Sequence, residues 1–155
     1  MRLLIEDSNY LSRLCHPRPY RRLSQWIQEK LEKDREFVVV IPEIVDYEVR
    51  RGFLLKSRYE SDPTKKAAFE RSLVNLDKLV TRWPRRTTSR EILLRAAELW
   101  ARARGEHYQT AHEERLDIDV IVAAHALAEA APVLTNNTKH FHRFSITVVD
   151  PAPPP

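Results

Sequence analysis

Cysteine is nearly missing from this 155-residue chain. Cys15 stands alone, so neither an intrachain disulfide nor a cysteine-built zinc site is available. Glycine is almost as scarce. With only Gly52 and Gly105, a Gly-rich phosphate loop of the Walker or dinucleotide kind is excluded. No apolar run approaches the ~18 residues of a membrane span. The first residues, Met1-Arg2-Leu3-Leu4-Ile5-Glu6-Asp7, reach an acid too soon to form a signal-peptide core. A cytoplasmic location without a membrane partner is therefore the default expectation.

What is present suits a folded domain with a real core: 43% of the residues are hydrophobic. We expect one domain over residues 1–150, followed by a proline-rich tail, 151–155, that is disordered or extended. The net charge is +4, the pI is about 9.4, and arginine far outnumbers lysine. Arginine's planar fork suits phosphate, so the balance is compatible with a nucleic-acid substrate. A GC-rich genome would produce the same bias, and net charge alone does not decide function.

Hydrophobic patterning alternates strands and helices. Arg2–Glu6 reads as a short buried strand, left through the turn Asp7-Ser8-Asn9. Tyr10, Leu11 and Leu14 continue as a brief helical turn that Pro17 and Pro19 stop. A helix from Tyr20 to Glu36 carries Leu23, Trp26, Ile27 and Leu31 on one stripe. The unbroken β-branched run Phe37–Ile41 suits a strand covered on both faces, as in a parallel sheet. Pro42, at a first helical position, opens a helix to about Ser57, and Ser61-Asp62-Pro63-Thr64 caps a long one ending at Trp83-Pro84. Arg85-Arg86-Thr87 fits an edge strand, and Ser89 starts a helix that Gly105 stops. A polar loop, Glu106–Arg115, leads to a small-residue helix that is apolar almost all round and therefore buried. The strands Pro132–Thr135 and Ser145–Val149 complete the pattern. The class is α/β: a three-layer sandwich around a mostly parallel sheet of four or five strands.

Carboxylates are the only chemistry such a sheet would gather. Asp7 follows the first strand, and Glu48 lies about two turns into the helix after the second. Asp117 and Asp119 open the buried helix. Capping explains one acid there, and two exceed that need. All these elements can reach the C-terminal edge of the sheet, where open α/β folds bind ligands. Clustered carboxylates repel and are costly to desolvate, so a cation is expected to offset them. Oxygen donors without cysteine suit Mg²⁺ or Mn²⁺, which makes phosphodiester hydrolysis by an activated water the natural chemistry. The pair Asn136-Asn137 could add a neutral ligand or orient the water. Each acid also has a plainer reading. Asp7 and Asp117 could be N-caps, and Asp46 competes with Glu48. Residues two apart in a helix diverge, so Asp117 joins Asp119 at one metal only if it precedes the first turn. The histidines 107, 112, 125, 140 and 142 show no zinc-like spacing and read as surface or packing residues, as Cys15 reads as packing.

Leu3-Leu4-Ile5-Glu6-Asp7-Ser8-Asn9, the segment Ile41-Pro42 through Glu48, Arg51 and Gly52, and Asp119-Val120-Ile121-Val122-Ala123-Ala124-His125-Ala126-Leu127 followed by Leu134-Thr135-Asn136-Asn137 and His140-Phe141 form a pattern. It resembles the PIN-domain ribonucleases, and within them the VapC-like toxins of bacterial type II toxin–antitoxin pairs. The resemblance covers nearly the whole chain. It implies that Asp7, Glu48 and Asp119 form the metal site, with Asp117 an extra acid found in a subset. Ser8 matches a hydroxyl beside the first acid, and Asn137 stands where many members have aspartate. It further implies a doubly wound sheet, Mg²⁺- or Mn²⁺-dependent RNA cleavage, an inhibitory antitoxin and frequent homodimerisation. Two other readings stand beside it. One is a catalytically inactive PIN-like module for RNA binding or protein interaction, which the neutral Asn137 allows. The other is a DNA nuclease, ranked lower because the chain lacks room for the large insertions that hold a branched duplex.

Overall fold

β1 (Arg2–Glu6) is the middle strand of a five-stranded sheet in which every pairing is parallel, as seen in a computed structural model that describes residues 2–106 and 113–151. On one side it pairs with β2 (Phe37–Pro42), in register Leu4↔Val39 and Ile5↔Val40. On the other it pairs with β4 (Val133–Leu134), in register Ile5↔Val133 and Glu6↔Leu134. β3 (Arg85–Arg86) and β5 (Val148–Val149) complete the order β3-β2-β1-β4-β5. Strand alternation divides the core accordingly. Ile5, Val40 and Val133 belong to one apolar cluster, and Leu4, Val39 and Leu134 to a second.

Helices cover both clusters. α2 (Arg21–Lys33) adds Leu23 and Ile27 to the second cluster. The first takes Val45, Val49 and Phe53 of α3 (Glu43–Tyr59), Leu76 of α4 (Pro63–Arg82), and Ile92, Ala96 and Leu99 of α5 (Arg90–Glu106). α6 (Glu113–Ala128) contributes Val120, Val122, Ala123, Ala124 and Ala126, which makes it the helix buried on most of its circumference. Local chemistry sets the ends of α4 and α5. Asp62 accepts from the Thr64 and Lys65 amides at 2.8 and 3.1 Å, and Ser89 Oγ accepts from Ile92 N at 3.3 Å.

The sandwich and its five strands are as the pattern predicts, and several boundaries differ. α1 (Ser8–Cys15) is a full two-turn helix rather than a brief turn. Pro42 is the last residue of β2 and the N-cap of α3, so it does not occupy a helical position. Gly105 does not stop its helix, which runs to Glu106. The backbone there never enters the left-handed region that makes glycine a helix terminator. α6 begins at Glu113, inside the stretch expected to be a polar loop, while residues 107–112 lie outside the described residues. Acidic residues suit the first turn of a helix, which is why a polar sequence can open one. The short helix α7 (Thr138–His142) follows β4 where the pattern shows no helix, being too brief to leave a periodic signal. Residues 152–155 of the proline-rich tail also lie outside the described residues.

Candidate active site

The strand order creates the site. The chain leaves β1 for β2 on one side and reaches β4 on the other, so the C-terminal ends of β1 and β4 flank a topological switch point. Asp7 follows β1 there, and Thr135 follows β4. Both are buried, and Thr135 Oγ1 donates to Asp7 Oδ2 at 2.6 Å. The hydroxyl is held in place by the Asn137 amide, which donates to it at 2.9 Å. Asn9 Nδ2 adds a longer bond to the same Asp7 oxygen, 3.3 Å. Asp7 sits at the N-cap of α1 but makes no side-chain capping bond, so capping does not account for it.

The crossover helices bring up the other acids, because their N-terminal halves lie at the same edge of the sheet. Glu48 of α3 and Asp119 of α6 line a cleft of about 520 Å³ together with Ser8, Asn9, Asn136, Asn137 and His140. Asp46, the competitor for Glu48, is occupied elsewhere. Arg50 grips its Oδ1 through Nε and Nη2 at 3.1 and 2.9 Å and reaches Asp77 with Nη1 at 2.9 Å. Asp117 requires correction as a member of the cluster. The early start of α6 puts it inside the helix, where it is exposed and lines a separate cleft beside Leu93 and Trp100 of α5. Two residues from Asp119 on a helix, it turns to another side.

His140, which the sequence reads as a surface or packing residue, is the other correction. Its Nδ1 lies 2.7 Å from Asp119 Oδ2, and its neighbour Asn137 Nδ2 donates to the same oxygen at 3.5 Å. Spacing alone gives neither His140 nor Thr135 a role, although both fall within the PIN-like pattern. The ring has no zinc-like partner along the chain, and a five-residue helix offers no periodicity to place it. The remaining groups behave as packing. Cys15 is buried, its thiol pushed up to about 12, first by burial and then by Glu6 and Asp46. His125 is buried with Nε2 3.2 Å from Thr88 Oγ1.

Electrostatically the acids form one system. Burial raises the Asp7 carboxyl from its ordinary 3.8 to about 6; Asp119 and Glu48 push it further up, while the Thr135 hydroxyl and the nearby Ser8 amide counter them. Asp119 is also raised, chiefly by burial and secondarily by Glu48, against the opposing influence of His140 and Arg143. Beside them Glu6 is fully buried and lifted well above its usual range by burial and by Asp7. Asp7 Oδ1 and Glu48 Oε2 are buried without a hydrogen-bond partner, as are both oxygens of Glu6. Among the described residues, no group of three or more His, Cys, Asp or Glu side chains is placed so that it could hold a metal ion as it stands. The donor set nevertheless fits a hard divalent cation: hard carboxylate oxygens, two of them orphaned, at mutual repulsion that a positive charge would relieve. No helix among the described residues is long and apolar enough to cross a membrane.

Comparison with known proteins agrees with this architecture. Among solved structures, VapBC2 from Rickettsia felis bound to a DNA fragment from its promoter is 20% identical, with TM-score 0.69, covering 96% of this chain and 97% of that one. DNA-bound VapBC from Salmonella typhimurium is 16% identical, TM-score 0.71, with coverage of 98% and 100%. A toxin–antitoxin complex from Klebsiella pneumoniae is 20% identical, TM-score 0.54, with coverage of 97% and 98%. These likenesses show the fold. No curated protein matches in sequence. The family model of the PIN domain matches residues 4–146, a span that includes both flanks of the switch point and all three clustered acids, and the chain therefore belongs to the PIN domain family.

Proposed function

We propose that this protein is a divalent-metal-dependent endoribonuclease, the toxin of a toxin–antitoxin pair, with Asp7, Glu48 and Asp119 as its metal-holding and catalytic acids. The observation that carries the reading is the convergence of these three acids at the switch point, two of them with buried oxygens lacking any partner. A bound Mg²⁺ or Mn²⁺ supplies Lewis acidity, lowering the pKa of an attacking water and stabilising charge on the phosphodiester. The chain's own residues prepare the cleft. Thr135 fixes one oxygen of Asp7 and leaves Oδ1 directed elsewhere. His140 does the same for Asp119. Asn137 braces both through its amide and side chain, so a neutral residue at this position is compatible with an organised site. Ser8 and Asn136 add polar groups to the wall that an RNA strand would meet.

An antitoxin partner is supported by structural neighbours that are themselves complexes of toxin-antitoxin type. A homodimer is part of the same proposal. Exposed Leu93 and Leu94 on α5, and Leu54, Leu55 and Tyr59 on α3, provide apolar surface for one or other partner. A cytoplasmic setting fits both the role and the single, reduced cysteine. The purified chain is expected to cut single-stranded RNA with Mg²⁺ or Mn²⁺ and to stop in EDTA. Asp119→Asn is expected to abolish cutting with an unchanged circular dichroism spectrum. Full activity in that variant would remove the assignment, and RNA binding that survives EDTA without cleavage would favour an inactive binding module.

A further inference from the structure

A second pocket, of about 400 Å³, lies between α5 and the segment joining α7 to β5. Arg102 of α5 and Arg143 at the end of α7 line it with Ser145, over an apolar floor that includes Leu99, Leu127 and Phe144. No acid lines it. Among the described residues neither guanidinium forms an ion pair or hydrogen bond, unlike Arg50 and Arg86, which are held by Asp46, Asp77 and Glu129. Two guanidiniums that line one pocket, neither fixed by a paired carboxylate, offer it the positive charge an anion would match. The pocket is large enough for a small ligand.

Its position ties it to the acidic cleft. Arg143 caps the C-terminal end of α7, three residues after His140, and its charge acts on Asp119 of the cleft. Ser145 holds φ 56°, a left-handed backbone uncommon outside glycine and frequent where loops are shaped for binding. We propose that this pocket holds one nucleotide of the RNA strand beside the scissile bond, the phosphate on the Arg102–Arg143 pair and the base on the apolar floor. Phosphate matches the guanidinium fork, and a base matches apolar side chains that water would otherwise cover. The inference rests on the cleft being where RNA is cut.

The test uses the full chain carrying Asp119→Asn, with Mg²⁺ present, and a labelled single-stranded RNA of about ten nucleotides read by fluorescence anisotropy. Arg102→Gln and Arg143→Gln are each expected to weaken binding about 3- to 10-fold and to flatten the salt dependence by about 0.7 in log–log slope. Arg58→Gln, on the exposed face of α3, is expected to do neither. Adenosine 5′-monophosphate is expected to compete well below the concentration at which inorganic phosphate does; equal competition overturns the placement of the base. Unchanged affinity and slope in both pocket variants, or an equal loss in Arg58→Gln, overturns the site. If the wild-type chain does not cut RNA yet both pocket variants lose affinity, the nuclease assignment falls and this subsite stands. If the wild type cuts normally and neither pocket variant alters binding, the subsite falls and the nuclease assignment stands.

Discussion

Replacing Asp7 by asparagine should make the metal-free protein more stable at neutral pH. Asp7 is 1% exposed, and its carboxyl is raised from 3.8 to about 6. That rise corresponds to about 3 kcal/mol by which folding disfavours the ionised form. The sign follows from proton linkage. Between pH 3.8 and about 6 the folded state holds a proton that the unfolded chain has released. The contribution to stability is therefore complete below 3.8 and lost as pH rises through 6. Asp7→Asn keeps an acceptor for Thr135 and removes the charge. In EDTA at pH 7.5 it should gain about 1–3 kcal/mol, or roughly 2–10 °C in Tm for a domain of this size. The gain should vanish near pH 4. With Mn²⁺ the order should reverse, because the wild type acquires a stabilising ligand and the variant does not. Scanning calorimetry at both pH values, with EDTA and with Mn²⁺, reads all four cases. A variant destabilised equally at pH 4 and 7.5, with an intact Mn²⁺ response, would refute the argument.

Asp117→Asn should leave RNA cleavage within about twofold, since its side chain faces a different cleft, whereas Asp119→Asn should cost 100-fold or more, on the order of a lost catalytic group; initial rates on one RNA compare them. Glu6→Leu, which replaces a fully buried carboxyl with no partner by an apolar side chain, should stabilise the fold by about 1–3 kcal/mol at pH 7 in urea titration; a loss would show that Glu6 has a partner when folded. Burial holds His125 below its ordinary 6.5, so the stability it contributes is complete above about 6.5 and declines as pH falls. His125→Gln should flatten the stability–pH curve between 5 and 7, and an unchanged slope in denaturant titrations at several pH values would count against it.

Much of this protein follows from short-range patterns. The β-branched run of β2, the Asp62-Pro63 cap and the apolar circumference of α6 each specify a local state through backbone sterics, capping or burial, whatever lies far along the chain. Such patterns also identified Asp7, Glu48 and Asp119 as candidates, because acids beside strand ends and buried helices are costly without a purpose. The short helix α7, five residues long, was not legible, because so few residues show no period. The strands β3, β4 and β5 were read in the right places but longer than the two residues each has.

The sequence by itself therefore determined the α/β class and the set of acids from which a site could be built. Only the tertiary structure decided which acids belong together. Pairing β1 with β4 set Thr135 against Asp7 across 128 residues of chain, and one earlier turn of α6 rotated Asp117 away while seating Asp119 against His140. A side chain's direction depends on helical phase and strand order, and both are fixed by packing between distant segments rather than by neighbouring residues.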